Sequence, residues 1–280
     1  MKTPPRRSVS SAAPAKTAAA STLPKAAAAE RVATDADDFP LGEGVEVLAR
    51  GAGGLFAFNK PAGMLSHPNM RSEQPRSLLT CDYLIEGEFF RWTAPTGGER
   101  RLYLLNRLDS HTSGVILGVT DVALAQRIRA LFREKHITKI YHALVFGKPA
   151  QTNAIWKDRL AIEKRAAQVR TGTGGNIPAE SHMRVLKQRR DAAMPLALIE
   201  LTPRTGRSHQ LRVQCTQRHL PIVGDATYGD FGANRALAKA TGLKRLCLHS
   251  HQTRFDYEHG GRVHAFVATA PTPAEFLQLL

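Results

Sequence analysis

The sequence predicts an α+β fold: a mixed, mainly antiparallel sheet with flanking helices. Three observations lead there. Strand-like runs cluster along the chain with few helical stretches between them, which disfavours a doubly wound α/β arrangement. No internal repeat organises those runs. A single shift in composition divides the chain, so we expect one large domain over residues 45–280 and a separate tail over residues 1–44.

The tail comes first. Residues 1–30 are almost entirely Ala, Pro, Ser, Thr, Lys and Arg, with five basic residues (Lys2, Arg6, Arg7, Lys16, Lys25) and one acid, Glu30. They hold no aromatic residue and no β-branched cluster, so little can be buried to offset chain entropy, and a disordered basic tail is expected. The segment has no continuous apolar stretch of the signal-peptide kind, although its basic, acid-poor composition also fits an organelle transit peptide. A short acidic patch (Asp35, Asp37, Asp38) follows, and the folded part is expected from near Val45.

Leu55–Phe58 is a short apolar run that stops at the turn signal Lys60-Pro61-Ala62-Gly63. Val115–Val119 is a continuous apolar run, the mark of a strand covered on both faces. Asp121 can cap a helix carrying Leu124, Ala125, Ile128, Leu131 and Phe132 on one side, with Arg127, Arg129 and Arg133 on a solvated face. Ile140–Phe146 reads as a strand ending at Gly147-Lys148-Pro149, and Gly172-Thr173-Gly174-Gly175, which follows a basic strand, as a hairpin turn. Further strands are expected at 180–187, 196–201, 246–255 and 262–268, with helices at about 208–218 and over Pro273–Leu280.

Charge narrows the function. The 280 residues hold 39 Lys+Arg against 24 Asp+Glu, a net charge of +15, which points to a polyanionic partner, most simply nucleic acid. No apolar run reaches the ~18 residues of an ordinary membrane-spanning helix. We find no basic amphipathic helix with a bulky apolar face suited to an anionic membrane. Cys81, Cys215 and Cys247 are odd in number and scattered, which excludes a disulfide framework and a CxxC metal site and fits a reducing, cytoplasmic setting.

Two constellations could carry chemistry. Asn106-Arg107-Leu108-Asp109-Ser110-His111-Thr112-Ser113-Gly114 lies just before the strand at 115–119, where a rigid element delivers a polar loop. From the residues alone, Asp109 reads equally as a functional carboxylate or as an Asx-type turn cap. Pro203-Arg204-Thr205-Gly206-Arg207-Ser208-His209-Gln210-Leu211-Arg212 follows an apolar strand and opens a helix. Three arginines at a helix N-terminus would stabilise a phosphate or a carboxylate. No metal site stands out: His249 and His251, at i and i+2 on an expected strand, read as satisfied structural residues. Gly51-Ala52-Gly53-Gly54 lacks the Lys-Ser/Thr ending of a phosphate-binding loop.

Several blocks taken together resemble the RluA-type family of RNA pseudouridine synthases. Phe58-Asn59-Lys60-Pro61-Ala62-Gly63-Met64-Leu65-Ser66-His67-Pro68 resembles the family's opening strand and turn, and Asn106 to Gly114 its HRLDxxTSG segment. Lys139-Ile140-Tyr141-His142-Ala143-Leu144-Val145-Phe146-Gly147 resembles the KxYxAxVxG strand, and Arg204 to Arg212 the RTGRxHQIR block. Leu220-Pro221-Ile222-Val223-Gly224-Asp225 resembles HPIxGD, and Leu246-Cys247-Leu248-His249-Ser250 the closing LxLHA strand. Order and spacing agree from about residue 55 to the C-terminus. The sequence departs from the pattern at Asn106, where the family usually has His, at Ser250, where it usually has Ala, and across 165–180, where Asn176-Ile177-Pro178-Ala179 replaces a Gly-Lys-x-Ala pattern.

The resemblance implies a pseudouridine synthase fold with a central catalytic cleft, and isomerisation of uridine to pseudouridine in transfer or ribosomal RNA without cofactor or metal. It implies that Asp109 is the essential carboxylate, acting as a nucleophile or as a base that removes a sugar proton. A carboxylate in a closed pocket needs a cation to stay ionised, and Arg207 is the expected partner. Tyr141 would sit against the uracil ring. Arg107 would fill the space left by an extruded uridine. Leu248 would pack near the base, with Arg204 and Arg212 as further substrate-binding residues. The expected enzyme is a cytoplasmic monomer that binds RNA and no membrane. The rivals are a non-enzymatic RNA-binding protein and a base-releasing glycosylase. Digesting treated transcript to nucleosides separates the three, as pseudouridine, no change or free uracil.

Overall fold

The computed structural model describes residues 1, 38–165, 168–189 and 194–280. Most of the expected disordered tail, residues 2–37, lies outside the described residues. The packed chain begins ahead of Val45. Phe39 is buried and sets its ring edge-on against Phe56 and Phe58 at 4.9 and 5.4 Å, and Leu41 bridges to Leu79. An isolated Phe behind an acidic patch carries no periodicity, so the expected boundary fell six residues late.

The chain opens with β1 (Glu46–Gly51) and β2 (Leu55–Lys60), followed by β3 (Asp82–Leu84), β4 (Phe89–Thr93), β5 (Glu99–Leu104) and β6 (Ser113–Val119). Helix α1 (Val122–Arg133) leads to β7 (Thr138–Phe146), β8 (Asn153–Arg165), β9 (Gln168–Thr173), β10 (Ile177–Arg189) and β11 (Leu196–Pro203). Helices α2 (Gln210–Gln217) and α3 (Phe231–Thr241) precede β12 (Leu248–His259), β13 (Arg262–Thr269) and the short α4 (Ala274–Leu277). All strands expected from the sequence form; β1, β3 to β5, β8 and α3 were not expected.

Among the described residues the strands join one mixed sheet in the order β3-β4-β5-β6-β12-β7-β11-β10-β8-β9, with β2 also on β6 and β13 also on β12. Each described pairing is antiparallel except β6 with β12, where Ser113 lies opposite His249 and Gly114 opposite Ser250. That short parallel contact forms the middle of the sheet. Gly114 has φ +106, and a side chain there would collide with the Ser250 carbonyl, so only glycine lets the two strands meet. The whole of β6 is buried, as its unbroken apolar run requires.

Apolar residues bury against both halves of this sheet. Val115, Leu117 and Val119 pack with Leu124, Ala125 and Ile128 of α1. Asp121 caps that helix, its carboxylate accepting from Leu124 N at 2.6 Å. Arg129 corrects the expected solvated face: it is partly buried and donates to the Leu104 carbonyl at 2.8 Å, tying α1 to the end of β5. On the other half, Leu144, Leu198, Ile199 and Leu201 pack against Leu211 and Cys215 of α2 and Leu237 of α3. Tyr141 touches this cluster and also the one built on Phe58, Met64 and Ile116, so it stands at their junction.

Candidate active site

The loop 105–112 arrives at the middle of the sheet pinned on three sides. Asn106 Oδ1 accepts from Leu117 N at 2.8 Å, so this side chain completes the ladder where β5 ends. Ser66 binds Leu108 reciprocally: its hydroxyl donates to the Leu108 carbonyl at 2.8 Å and accepts from Leu108 N at 3.0 Å. Lys60 is fully buried at the end of β2 and donates to the carbonyls of Pro61, Met64 and Ser110 at 3.0, 2.7 and 3.0 Å. Burial pushes its pKa down to about 7, against the pull of the Asp109 charge and with the push of Arg245. The turn signal at 60–63 was legible in the sequence. The lysine inside it, joining two loops fifty positions apart, was not.

Asp109 therefore projects from a braced loop, with its side chain one-third exposed. Arg212 Nη1 donates to its Oδ2 at 3.2 Å. The rest of the Arg212 guanidinium is spent on Asp225, Nε to Oδ2 at 2.7 Å and Nη2 to Oδ1 at 2.8 Å. Burial works to lower the arginine's pKa, but the Asp225 and Asp109 charges outweigh it. Burial likewise works to raise the pKa of Asp225, but Arg212 and the backbone N–H groups of Tyr228 and Thr227 hold it below the usual carboxylate range. Asp109 Oδ1 accepts no hydrogen bond from the described residues.

The expected cation was Arg207, and the structure places it elsewhere. Arg207 is exposed, its Nε reaching the Pro178 carbonyl at 3.4 Å. Three arginines within nine residues look alike in sequence, but the helix start separates them. Arg204 and Arg207 precede α2 on the open loop, whereas Arg212 lies inside its first turn and points into the protein. Gln210 fixes that loop, accepting from Thr205 Oγ1 at 2.8 Å and Arg207 N at 3.1 Å and donating to Ser181 Oγ at 3.0 Å.

Tyr141 lies opposite Ser250 on β12 and opposite Leu201 on β11. Burial pushes its phenol up to about 12; a hydrogen bond with the Ser250 side chain opposes that and the Asp109 charge adds to it. The phenol is therefore neutral at physiological pH and within electrostatic reach of the carboxylate. Leu248 lies one pair further along the same face, opposite Ala143, and is buried in the core. Arg107 is exposed beside the loop, near the stacked pair of His67 and Tyr83, whose rings are 4.5 Å apart. Lys139 stands close to Gly206 of the arginine loop, and burial lowers its pKa.

Behind this face, His249 bonds Ser113 Oγ at 2.8 Å and the Ala270 carbonyl at 3.3 Å, and His251 bonds the same carbonyl at 2.8 Å. These histidines are satisfied structural groups, as the sequence reading had them.

The six sequence blocks thus converge around Asp109 and Tyr141. The sequence matches the RNA pseudouridylate synthase family over residues 54–217, more than half of the chain. The chain belongs to the RluA-type RNA pseudouridine synthases. It is 34% identical to the tRNA pseudouridine synthase C of Pasteurella multocida over 215 residues, 72% of this chain and 82% of that protein. It is 30% identical to the tRNA pseudouridine synthase C of Yersinia pestis over 230 residues, 78% of this chain and 84% of that protein. Its fold matches that of human RNA pseudouridylate synthase domain containing 1, with a TM-score of 0.60 at 21% identity over 84% of this chain and 86% of that one. The protein is accordingly an RNA-modifying isomerase on an α+β pseudouridine synthase fold.

Proposed function

We propose that this pseudouridine synthase uses Asp109 as its reacting carboxylate and isomerises uridines of transfer RNA, with ribosomal RNA as the second substrate class. The observation that carries the reading is the asymmetry of the carboxylate: Arg212 holds Oδ2 and leaves Oδ1 open at a partly exposed position. Oδ1 is then the atom that meets the sugar or the base. The bond from C1′ to N1 breaks, the base turns, a bond from C1′ to C5 forms, and the C5 proton leaves for solvent. Asp109 serves as the nucleophile at C1′ or as the base that removes a sugar proton, and neither route needs a cofactor or metal.

Other residues take supporting parts. Tyr141 offers its ring to the uracil, and its neutral hydroxyl relays the C5 proton, handing its own proton on toward solvent as it takes that one. Leu248 backs it from the core, which puts it under the base and out of direct reach. Arg107, exposed at the loop, fills the gap left by the extruded nucleotide, where a planar guanidinium stacks on neighbouring bases. Arg204 and Arg207 are free to meet phosphates. The preference for transfer RNA is supported by the relatives from Yersinia pestis and Pasteurella multocida, which carry that substrate in their names. We further propose that the enzyme acts as a cytoplasmic monomer.

The test is Asp109→Asn, assayed by digesting treated transcript to nucleosides. Pseudouridine should vanish while folding and RNA affinity persist. Residual turnover within tenfold of wild type, a barrier change of only ~1.4 kcal/mol, would remove Asp109 from the role. Mapping pseudouridines in cells with and without the gene identifies the RNA. Loss at ribosomal positions alone would reject the transfer RNA preference.

A further inference from the structure

We infer that His209 is a positioning residue for Asp109, locked by Tyr228 into the tautomer that presents an N–H to the carboxylate. The inference rests on the reading of Asp109 as the reacting group. Thr171 N donates to Tyr228 Oη at 2.9 Å, and Tyr228 Oη lies 2.8 Å from His209 Nδ1. The phenol has a single proton. With its oxygen already accepting from Thr171, and with no other acceptor for that proton among the described residues, the proton is directed at Nδ1. A neutral imidazole carries one N–H, so with Nδ1 accepting it sits on Nε2.

Nε2 faces Asp109 Oδ2 at 3.8 Å. That is longer than a formed hydrogen bond, and such contacts in free enzymes are often long and tighten once substrate closes the site. Oδ2 is also the oxygen held by Arg212, so both groups act on the same atom and keep Oδ1 turned outward. The His209 backbone is itself unusual: φ is 52 where the arginine loop passes into α2, a left-handed conformation that a residue with a side chain seldom adopts. That conformation sits where the imidazole reaches both Tyr228 and Asp109. In the sequence His209 stands only as one letter of the Arg204 to Arg212 block.

The charged and titratable groups around the ring are Asp109, Arg212, Asp225 and Tyr228. Burial lowers the pKa of His209, Asp109 opposes that, Arg212 adds to it and Asp225 opposes it, so the ring stays neutral at neutral pH. Only in that neutral form does the choice of tautomer matter, because an imidazolium has an N–H on both nitrogens.

This supplies a signature that a structural role would not produce. Tyr228→Phe keeps the ring that stacks under Arg212 and removes the hydroxyl, which is both the proton that sets the tautomer and the acceptor of Thr171 N; the loss of the second is independent of pH and shows in the melting temperature. Its kcat should fall several-fold at about pH 8 with RNA affinity unchanged, and the deficit should shrink as pH falls through the imidazole titration. His209→Gln keeps an amide N–H near the Nε2 position and should retain most of the rate, whereas His209→Ala should lose roughly tenfold or more. Melting temperature and RNA binding are measured on each variant, and Asp109→Asn is assayed in parallel. An active Asp109→Asn would sink the carboxylate reading, and this inference with it. An inactive Asp109→Asn with a fully active His209→Ala, or with a Tyr228→Phe deficit independent of pH, would overturn the role of His209 alone.

Discussion

Arg212 divides its guanidinium between two carboxylates, gripping Asp225 with two hydrogen bonds and reaching Asp109 with a third at 3.2 Å. Asp225 is almost fully buried and Asp109 is partly open, so one partner is an anchor and the other is available. The anchor sets the plane of the guanidinium, and that plane sets which oxygen of Asp109 is occupied. A lysine, with a point charge and no fixed fork, cannot keep both contacts in this geometry.

Arg212→Lys should therefore leave a folded protein with activity reduced by a factor on the order of 100, about 2.7 kcal/mol of barrier. Arg212→Met should also destabilise the fold by roughly 3–5 kcal/mol, because Asp225 would remain buried without its cation. Arg207→Met should keep its turnover number and lose RNA affinity mainly at low salt, its salt slope falling by about 0.7 to 0.9 for the one phosphate contact removed. Turnover at saturating RNA and a salt titration of binding check all three. An inactive Arg207→Met would return the cationic role to that residue.

Lys60 makes a prediction about stability. Its folded pKa, about 7, lies below the ordinary lysine value of 10.5. Between these values the unfolded chain binds a proton that the folded chain does not, so stability rises with pH across the window and is lost as pH falls toward 7. Lys60→Met removes that dependence and leaves the Met64 carbonyl without its donor, at a cost of about 1–3 kcal/mol. Urea unfolding near pH 7 and near pH 10 should show wild type gaining on the variant at the higher pH. A constant gap would mean that the three carbonyls keep Lys60 charged throughout.

Asn106 departs from the histidine that the family usually places before Arg-Leu-Asp, and its bond to Leu117 N explains what the position does. Asn106→Ala should leave that N–H unpaired and cost roughly 1–3 kcal/mol, visible as a lower melting temperature. Asn106→His should recover most of it, since an imidazole nitrogen can accept the same bond. Stability equal to wild type in the alanine variant would show that the bond contributes nothing.

Much of this arrangement is legible in the chain and part of it is not, for physical reasons. The buried strands β6, β7 and β11 announce themselves as apolar runs, and Asp121 announces α1 through its cap. The strand β4 hides because it buries only Phe90, and β5 because it opens on three exposed charged residues, Glu99, Arg100 and Arg101, before its buried half. The Arg207 expectation failed because what selects a cation is its partner. The deciding partner, Asp225, lies thirteen residues beyond Arg212, past the end of α2, in a block matched only as sequence. Lys60 and His209 were likewise visible as motif letters. Their roles depend on contacts with Ser110 and Asp109 that only the folded chain brings within reach.

Tyr141 and Ser250 carry the last prediction. The phenol is held neutral with a pKa pushed up to about 12, and the Ser250 hydrogen bond is the influence that keeps it from rising further. Tyr141→Phe retains the stacking face, so RNA should bind with near wild-type affinity while pseudouridine formation slows. An adduct with 5-fluorouridine RNA should still form, because flipping and attachment come before the C5 proton is removed. Ser250→Ala restores the residue usual in the family and removes the partner of the phenol. It should leave binding intact and lower the rate by a smaller factor, within about tenfold, roughly 1.4 kcal/mol of barrier. If the phenol relays the C5 proton, giving up its own as it takes that one, combining the two substitutions should cost no more than Tyr141→Phe alone, since Ser250 acts through a hydroxyl that the phenylalanine lacks. Equal rates for phenylalanine and tyrosine would show that the hydroxyl has no chemical part. Additive losses in the double variant would show that Ser250 acts through something other than Tyr141.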